Sequence, residues 1–451
     1  MIFVKSKFFP SSRQDEILRG LEAYINRVRA TKTLDRERVI GALDSLGRRV
    51  ADGAFDSLIA SLSAGEKAER YKALAIRFLS RDSLEERVRR ELPNPAPTAA
   101  GSGIHSELRP LGTLFHIAAG NMDGLPALSA AEGLLTGNFN ILKLPEADNG
   151  LTAAILSALC EELPEAGDFL AVFDTPSSDV NAMVKMASLA DGIVFWGGET
   201  AERAVRKLAP PGVKLIEWGH RLGFAYISGD WRRPGFLAEL EGLADHIAST
   251  GQLLCSSAQV VYLDTASMDE AEDFARAFLP LLGEAQTRHP PADPGEAAAQ
   301  SIRSRVNRLE TAIRRAYPNG PDNPERPNSP NRPNDPGDRN PPERKRYDGL
   351  RCSVTVCRDS ALELSPLYGN ILVKRLPEKH LLPVLRRSAG RLQTAGLICS
   401  PEDRARLTDL LLRAGLTRVT RAAHMSDTFP GESHDGEWPL RRYVRAADVE
   451  E

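Results

Sequence analysis

The feature that most limits how this chain can fold is the alternation, between about residues 112 and 228, of short apolar runs with helical stretches. GTLFHIA, FNILKL, FLAVF, GIVFW, VKLIEW and FAYIS are strand-length and rich in β-branched or aromatic residues. Between most of them lie PALSAAEGLLTG, GLTAAILSALCEEL, SDVNAMVKMASL and ETAERAVRKLA, which read as helices. Strand, helix and strand in series at this spacing predict a parallel sheet with helices on both faces, because a helical crossover returns the chain to the same edge direction. Such sheets bind nucleotides at the carboxyl ends of their strands.

A second α/β block opens near residue 230 with the helix RPGFLAELEGLADHIAST, the loop GQLLCSSA, the strand QVVYLD and the helix DEAEDFARAFLPLL. It resumes with the strands LRCSVTVC, GNILVKRL and RLQTAGLIC and the helix PEDRARLTDLLLRAG. In between, proline recurs every third residue from Pro318 to Pro336. Three is the polyproline II period, and a segment with almost no apolar residues cannot offset the entropy cost of packing, so about residues 318–345 are expected to be an extended or disordered surface insertion. It lacks the apolar anchors that a ligand of a proline-reading domain would need. Ahead of the first sheet, about residues 11–91 form an amphipathic helical preface. The expected organisation is an α/β fold with a Rossmann-type cofactor lobe over residues 1–229 and an α/β catalytic lobe over residues 230–425. A tail over residues 426–451 is suited to pairing subunits in a homo-oligomer.

At 451 residues the chain is long enough for two independent cores. Its 58 basic and 61 acidic side chains nearly cancel, to a net charge of -3, so no broad field exists to attract nucleic acid or anionic lipid. No apolar stretch approaches the ~18 residues of a membrane span, and MIFVKSKFFPSSRQ has no small-residue cleavage pattern. A cytoplasmic protein without membrane insertion is expected, with small molecules or other proteins as partners. Five scattered cysteines argue against a disulfide framework. Cys352 and Cys357 have no histidine pair at zinc-finger spacing and are read as strand residues rather than metal ligands; HExxH, P-loop and GxSxG patterns are also absent.

The segment that carries chemistry is STGQLLCSSAQVVYLD. It puts Cys255 in a small polar turn between a helix and a strand, where sulfur can be exposed and backbone N–H groups can stabilise a thiolate or an oxyanion. Upstream, VKLIEWGH ends a strand with Glu217, and GIVFWGGET places Gly197 and Gly198 where a strand opens into a helix. Glycines there let the backbone approach a pyrophosphate, although a tight strand-to-helix turn would need them equally.

In order and spacing these segments resemble the aldehyde dehydrogenase superfamily and, within it, the LuxC-type acyl-CoA reductases that supply long-chain aldehyde in bacterial bioluminescence. The block HIAAGNMDGLPALSAAEGLLTGNFNILKLPEAD carries the likeness, supported by ADGIVFWGGETAERAVRKLAPP, by Cys255 to Gln259, by RLQTAGL and by HDGEWPLRRYVR. The resemblance implies that Cys255 is the nucleophile that takes up an acyl group as a thioester. It implies that Asn121 donates to the oxyanion, that Lys143 contacts the adenosine ribose and that Gly197 lies near the pyrophosphate. Bland alternatives are a turn former for Asn121 and a solvated strand-end lysine for Lys143. The implied reaction reduces an acyl-CoA or acyl-protein thioester to an aldehyde. The implied cofactor is NADPH, but Glu146, three residues after Lys143, has a spacing that in relatives favours ribose hydroxyls over a 2′-phosphate, so NADH stays open. The acyl donor would be acyl-CoA or an acyl-carrier or acyl-transferase protein.

Glu217 lies where hydrolytic aldehyde dehydrogenases keep the carboxylate that activates water, so oxidation of an aldehyde to an acid or acyl-CoA is a rival reading. Two others are an acyl-phosphate reductase and a non-catalytic scaffold that binds an acyl-transfer partner. His116, inside the matched block, could serve as an acid or base, but a strand residue with a satisfied ring is the preferred reading, and His105 lies close by.

Overall fold

The computed structural model describes residues 1–62, 65–93, 104–118, 124–316 and 344–450. The chain forms two compact units, Met1–His220 with Thr428–Glu451, and Arg221–Asp427.

The first unit is built on a seven-stranded sheet. Its strands are β1 (Ile2–Val4), β2 (Lys7–Phe9), β4 (Thr113–Ile117), β5 (Phe139–Lys143), β6 (Leu170–Phe173), β7 (Gly192–Trp196) and β8 (Lys214–Trp218); β3 (Ile104–Pro110) lies apart. The order is β2-β1-β6-β5-β4-β7-β8, and the five strands from β6 to β8 are parallel. From β4 the chain moves outward through β5 and β6, then returns to β4's other side for β7 and β8. That reversal makes the carboxyl ends of β4 and β7 a topological switch point, where a crevice opens because successive crossovers leave on opposite faces. β4 to β6 are fully buried because helices cover both faces, which is why they read as continuous apolar runs. The short hairpin β1–β2, which the sequence reading did not anticipate, extends the sheet antiparallel to β6.

The preface is helical as expected, with helices Gln14–Thr31, Arg36–Ala51, Asp56–Leu62, Gly65–Leu79 and Arg81–Glu91. Asp35 caps the second of these by accepting from the Arg38 N–H. The tail belongs to the first unit: its strand Val444–Glu450 pairs antiparallel with β3 in a two-stranded ribbon that joins neither large sheet. Tyr443, fully buried, gives its carbonyl to the Leu111 N–H and the Asn138 amide, which ties the tail to the edge of β4.

The second unit holds β9 (Leu222–Ile227), β10 (Ala258–Leu263), β11 (Arg344–Gly349), β12 (Cys352–Cys357), β13 (Asn370–Arg375), β14 (Leu392–Ile398) and β15 (Arg418–Thr420). They lie in the order β11-β12-β13-β10-β9-β14-β15, parallel except for β11. FAYIS, read with the cofactor lobe, falls at β9, between β10 and β14 in this second sheet. Periodicity cannot assign a strand to one of two parallel sheets; its hydrogen-bond partners β10 and β14 do so. The division therefore falls after His220 rather than at residue 229. Arg344 and Lys345, at the end of the expected insertion, lie in β11; residues 318–343 fall outside the described residues. Among the described residues no helix is long and apolar enough to cross a membrane.

Candidate active site

Helix Pro234–Thr250 starts with proline in its first turn and stops at Gly251, whose left-handed φ of +56° ends it. Gln252 follows, also left-handed at +62°, and the chain crosses seven residues to the amino end of β10. Cys255 lies in this turn, half-buried and in no disulfide. The turn is braced from within. Thr250 Oγ1 accepts from the Gln252 N–H at 3.2 Å and from Ser257 Oγ at 3.1 Å, and donates to the His246 carbonyl at 2.7 Å. Gln252 Nε2 donates to the Ala258 carbonyl at 3.0 Å, and Gln259 Nε2 returns a bond to the Gln252 carbonyl at 2.8 Å. Ser256 Oγ bonds Ser426 Oγ at 2.7 Å. β9 runs so close beneath that a Cβ on Gly223 would lie 2.8 Å from the carbonyl oxygens of both Ser256 and Ser257, so only glycine fits there.

In the first unit, the expected cofactor residues sit at the carboxyl ends of β5 and β7, the parallel strands on either side of β4. Lys143 closes β5 and is 5% exposed, which removes the solvated-lysine alternative. Its ammonium donates to Ser177 Oγ at 2.9 Å, just beyond β6; burial lowers its pKa, with Glu146 opposing. Glu146 is exposed in the short turn Glu146–Asp148. Gly197 follows β7 and gives its N–H to the Trp218 carbonyl at 3.3 Å, and a Cβ on it would meet the Phe195 ring at 2.7 Å. Gly198 is the cap of helix Glu199–Leu208, and a Cβ there would meet nothing within 4 Å. The helix thus begins at the switch point without a side-chain cap, leaving its first N–H groups for an anion. Asn121 lies outside the described residues.

Glu217, on β8, does not stand as a bare carboxylate. Arg206 Nη2 reaches its Oε2 at 2.5 Å, and its Oε1 is buried with no hydrogen-bond partner among the described residues. Burial raises its pKa and Arg206 works against the rise. His116 is fully buried on β4. The Asn140 amide nitrogen donates to the Asn138 carbonyl at 2.8 Å, which turns Asn140 Oδ1 toward His116 Nε2 at 3.0 Å. Nε2 therefore carries the proton, and Nδ1 accepts from Ser129 Oγ at 2.7 Å. Burial depresses its pKa to about 4. Both ring nitrogens are committed, as the satisfied-ring reading expects. His105 lies on the exposed ribbon, in β3.

A family model described as acyl-CoA reductase (LuxC) matches residues 32–317 and 343–446. The chain belongs to the LuxC family. Among the relatives of this LuxC chain, a long-chain acyl-protein thioester reductase of Aliivibrio fischeri is 25% identical over 344 residues, 75% of this chain and 64% of that protein. Long-chain acyl-protein thioester reductase 2 of Photobacterium leiognathi is 24% identical over 163 residues, 36% of this chain and 34% of the relative. The matches thus span less than two thirds of these relatives' lengths. The fold is that of aldehyde dehydrogenases. A putative methylmalonate-semialdehyde dehydrogenase of Sinorhizobium meliloti, solved with NAD, superposes with a TM-score of 0.67 at 14% identity, covering 99% of this chain and 96% of that one. A lactaldehyde dehydrogenase of Escherichia coli gives 0.64 at 15% identity, covering 98% and 91%.

The sequence of the LuxC chain singled out Cys255 but not the frame of its turn. Gln252 and Gln259 stood in the quoted segment, and a glutamine opening an otherwise apolar strand is a signal of a buried amide with work to do. Gly223 had no such signal. Cys357, Asp359 and Glu363 present ligand atoms within 4.8 Å of one another. The fully buried Lys374 ammonium, however, pairs with Asp359 at 2.6 Å and Glu363 at 2.5 Å, so a cation of the protein's own already sits there. Burial works against these charges, yet the pairing outweighs it, holding both carboxyls below their ordinary values and Lys374 above. The Cys357 thiol is pushed up to about 11 by burial.

Proposed function

We propose that the protein reduces an acyl thioester to an aldehyde, with Cys255 as the acyl acceptor. The observation that carries this is a LuxC-family cysteine held in a braced turn between helix Pro234–Thr250 and β10. The Cys255 thiolate attacks the carbonyl carbon of an acyl-CoA or acyl-protein thioester, the donor's thiolate leaves, and an acyl-enzyme thioester remains. The oxyanion formed on attack is stabilised by the Cys255 backbone N–H and by Asn121. When bound, NADPH or NADH would supply the hydride that reduces the acyl-enzyme carbonyl. Collapse of the Cys255 thiohemiacetal then frees the aldehyde and, with a proton, restores the thiol.

The residues present fit a dinucleotide. Gly198 opens helix Glu199–Leu208 with free space where a side chain would be, suiting a pyrophosphate, and the buried Lys143 ammonium with Glu146 beside it would take the ribose. An acyl-protein donor is supported by the names of the relatives, and NADPH by the family likeness. Pairing of two copies is assigned to the ribbon of β3 and the tail strand Val444–Glu450, where Ile104 is 39% and Val449 38% exposed. A cytoplasmic setting agrees with five cysteines in no disulfide. Against the hydrolytic reading stands the Arg206 ion pair, which occupies Glu217 rather than leaving it to deprotonate water.

The test is intact mass after mixing with tetradecanoyl-CoA and no cofactor. The wild type gains one acyl unit and Cys255→Ala gains none. An adduct that persists in Cys255→Ala overturns the assignment.

A further inference from the structure

The Cys255 turn is braced not only by itself but by a segment more than a hundred residues later in the chain. Ser365 is 3% exposed and sits between the two glutamines of the turn. Its Oγ accepts from Gln252 Nε2 at 2.9 Å and donates to Gln259 Oε1 at 2.8 Å, and its backbone N–H reaches the same Oε1 at 3.3 Å. Gln252 Oε1 in turn accepts from the Gly369 N–H at 3.0 Å, and the Tyr368 N–H bonds the Gly251 carbonyl at 2.9 Å. Every polar atom of both glutamine side chains is therefore satisfied in a buried network, with Gln252 held in a left-handed conformation that costs energy for a non-glycine residue.

The segment that carries Ser365 is itself anchored. Lys374 Nζ bonds Asp359 at 2.6 Å and Glu363 at 2.5 Å, and Arg344 takes Glu363 from the other side at 3.0 Å. Tyr262 Oη donates to the Ser360 carbonyl at 3.0 Å, and Ser360 Oγ to the Arg375 carbonyl at 2.6 Å. Lys374 of β13 and Arg344 of β11 thus tie residues 359–363 to the sheet, two residues ahead of Ser365.

We infer that Ser365, with Gln252 and Gln259, is a positioning residue for Cys255: the clamp sets where the thiol and the backbone N–H groups of its turn point during acylation. A surface turn of seven residues with a strained Gln252 would otherwise relax, and misplacement of a nucleophile by ~1 Å costs on the order of 10²-fold in rate. This rests on the reading of Cys255 as the acyl acceptor.

The experiment follows adduct formation by intact mass in rapid mixing with tetradecanoyl-CoA over a range of concentrations and pH, in the wild type, Ser365→Ala, Ser365→Thr, Gln259→Met and Cys255→Ala. Thermal unfolding selects the variants that remain folded, and Gln259→Met carries the test if Ser365→Ala does not. The clamp predicts that Ser365→Ala lowers the saturating acylation rate by about 10- to 100-fold while half-saturation moves by less than about threefold. It also predicts a changed pH profile of iodoacetamide labelling at Cys255, and recovery of most of the rate in Ser365→Thr, which keeps the hydroxyl. An adduct lost in Cys255→Ala but formed at the wild-type rate in folded Ser365→Ala or Gln259→Met overturns the clamp alone. An adduct that survives Cys255→Ala overturns the nucleophile and the clamp together.

Discussion

Acidification should weaken the first unit through one side chain, His116. Its ring is fully buried and neutral, with Ser129 donating to Nδ1 and Nε2 donating to Asn140. Burial depresses its pKa from 6.5 to about 4. A depressed value means that the unfolded chain takes up a proton before the folded one does. The stabilisation is therefore complete above pH 6.5 and is lost as pH falls toward 4, beyond which it changes no further. Between about pH 7.5 and 5 the difference in proton binding amounts to about 2 kcal/mol, and over the whole interval to about 3 kcal/mol. Carboxylates elsewhere add slopes of their own, so the contribution is read as a difference between the wild type and His116→Gln, which keeps a donor and an acceptor but cannot protonate. Urea unfolding at the two pH values, followed by tryptophan emission, should give a pH-dependent loss about 2 kcal/mol smaller in the variant. Equal losses in the two proteins would refute the neutral buried ring. Because both nitrogens are committed to the fold, Cys255 acylation should persist in His116→Gln.

Gly223→Ala would set a methyl 2.8 Å from the Ser256 and Ser257 carbonyls, so the Cys255 turn must move; a stability loss of about 1–3 kcal/mol in thermal unfolding and slowed acylation are expected. Lys374→Met leaves the half-buried Asp359 without its cation and Glu363 with Arg344 alone, and should cost about 1–3 kcal/mol at neutral pH. That deficit should shrink on acidification, because the stranded carboxyls then protonate; a deficit that does not depend on pH would count against the ion cluster. Glu217→Gln should leave aldehyde production from acyl-CoA nearly level, whereas a drop of ~10²–10⁴-fold in acid formation from aldehyde would point to a hydrolytic base.

The alternation of strands and helices was enough to specify two parallel sheets, because a helical crossover between short apolar runs allows little else. The motif around Cys255 was enough to place the cysteine in a helix-to-strand turn, since Gly251 stops the helix and the apolar run after Gln259 needs a sheet. Polarity along the chain likewise predicted the helical preface. What sequence could not decide was membership and partnership. β9 went to the second sheet because of backbone pairing with β10 and β14, which leaves no mark on its own residues. The tail returned to the first unit because Tyr443 is buried there, a contact more than three hundred residues from the Leu111 it binds. Lys143 read as a strand-end lysine in either role until its burial was known. The position of Glu217 left a hydrolytic role open, and only the tertiary structure puts Arg206 beside it. Ser365 is the plainest case: one hydroxyl in ELSPLYGN, indistinguishable by type or spacing from any loop serine, acquires its place only because folding brings it between two glutamines of a distant turn. Local sequence carries periodicity, caps and turns, which are short-range physics; burial, charge pairing and long-range hydrogen bonds depend on which segments meet, and only the tertiary structure decides that.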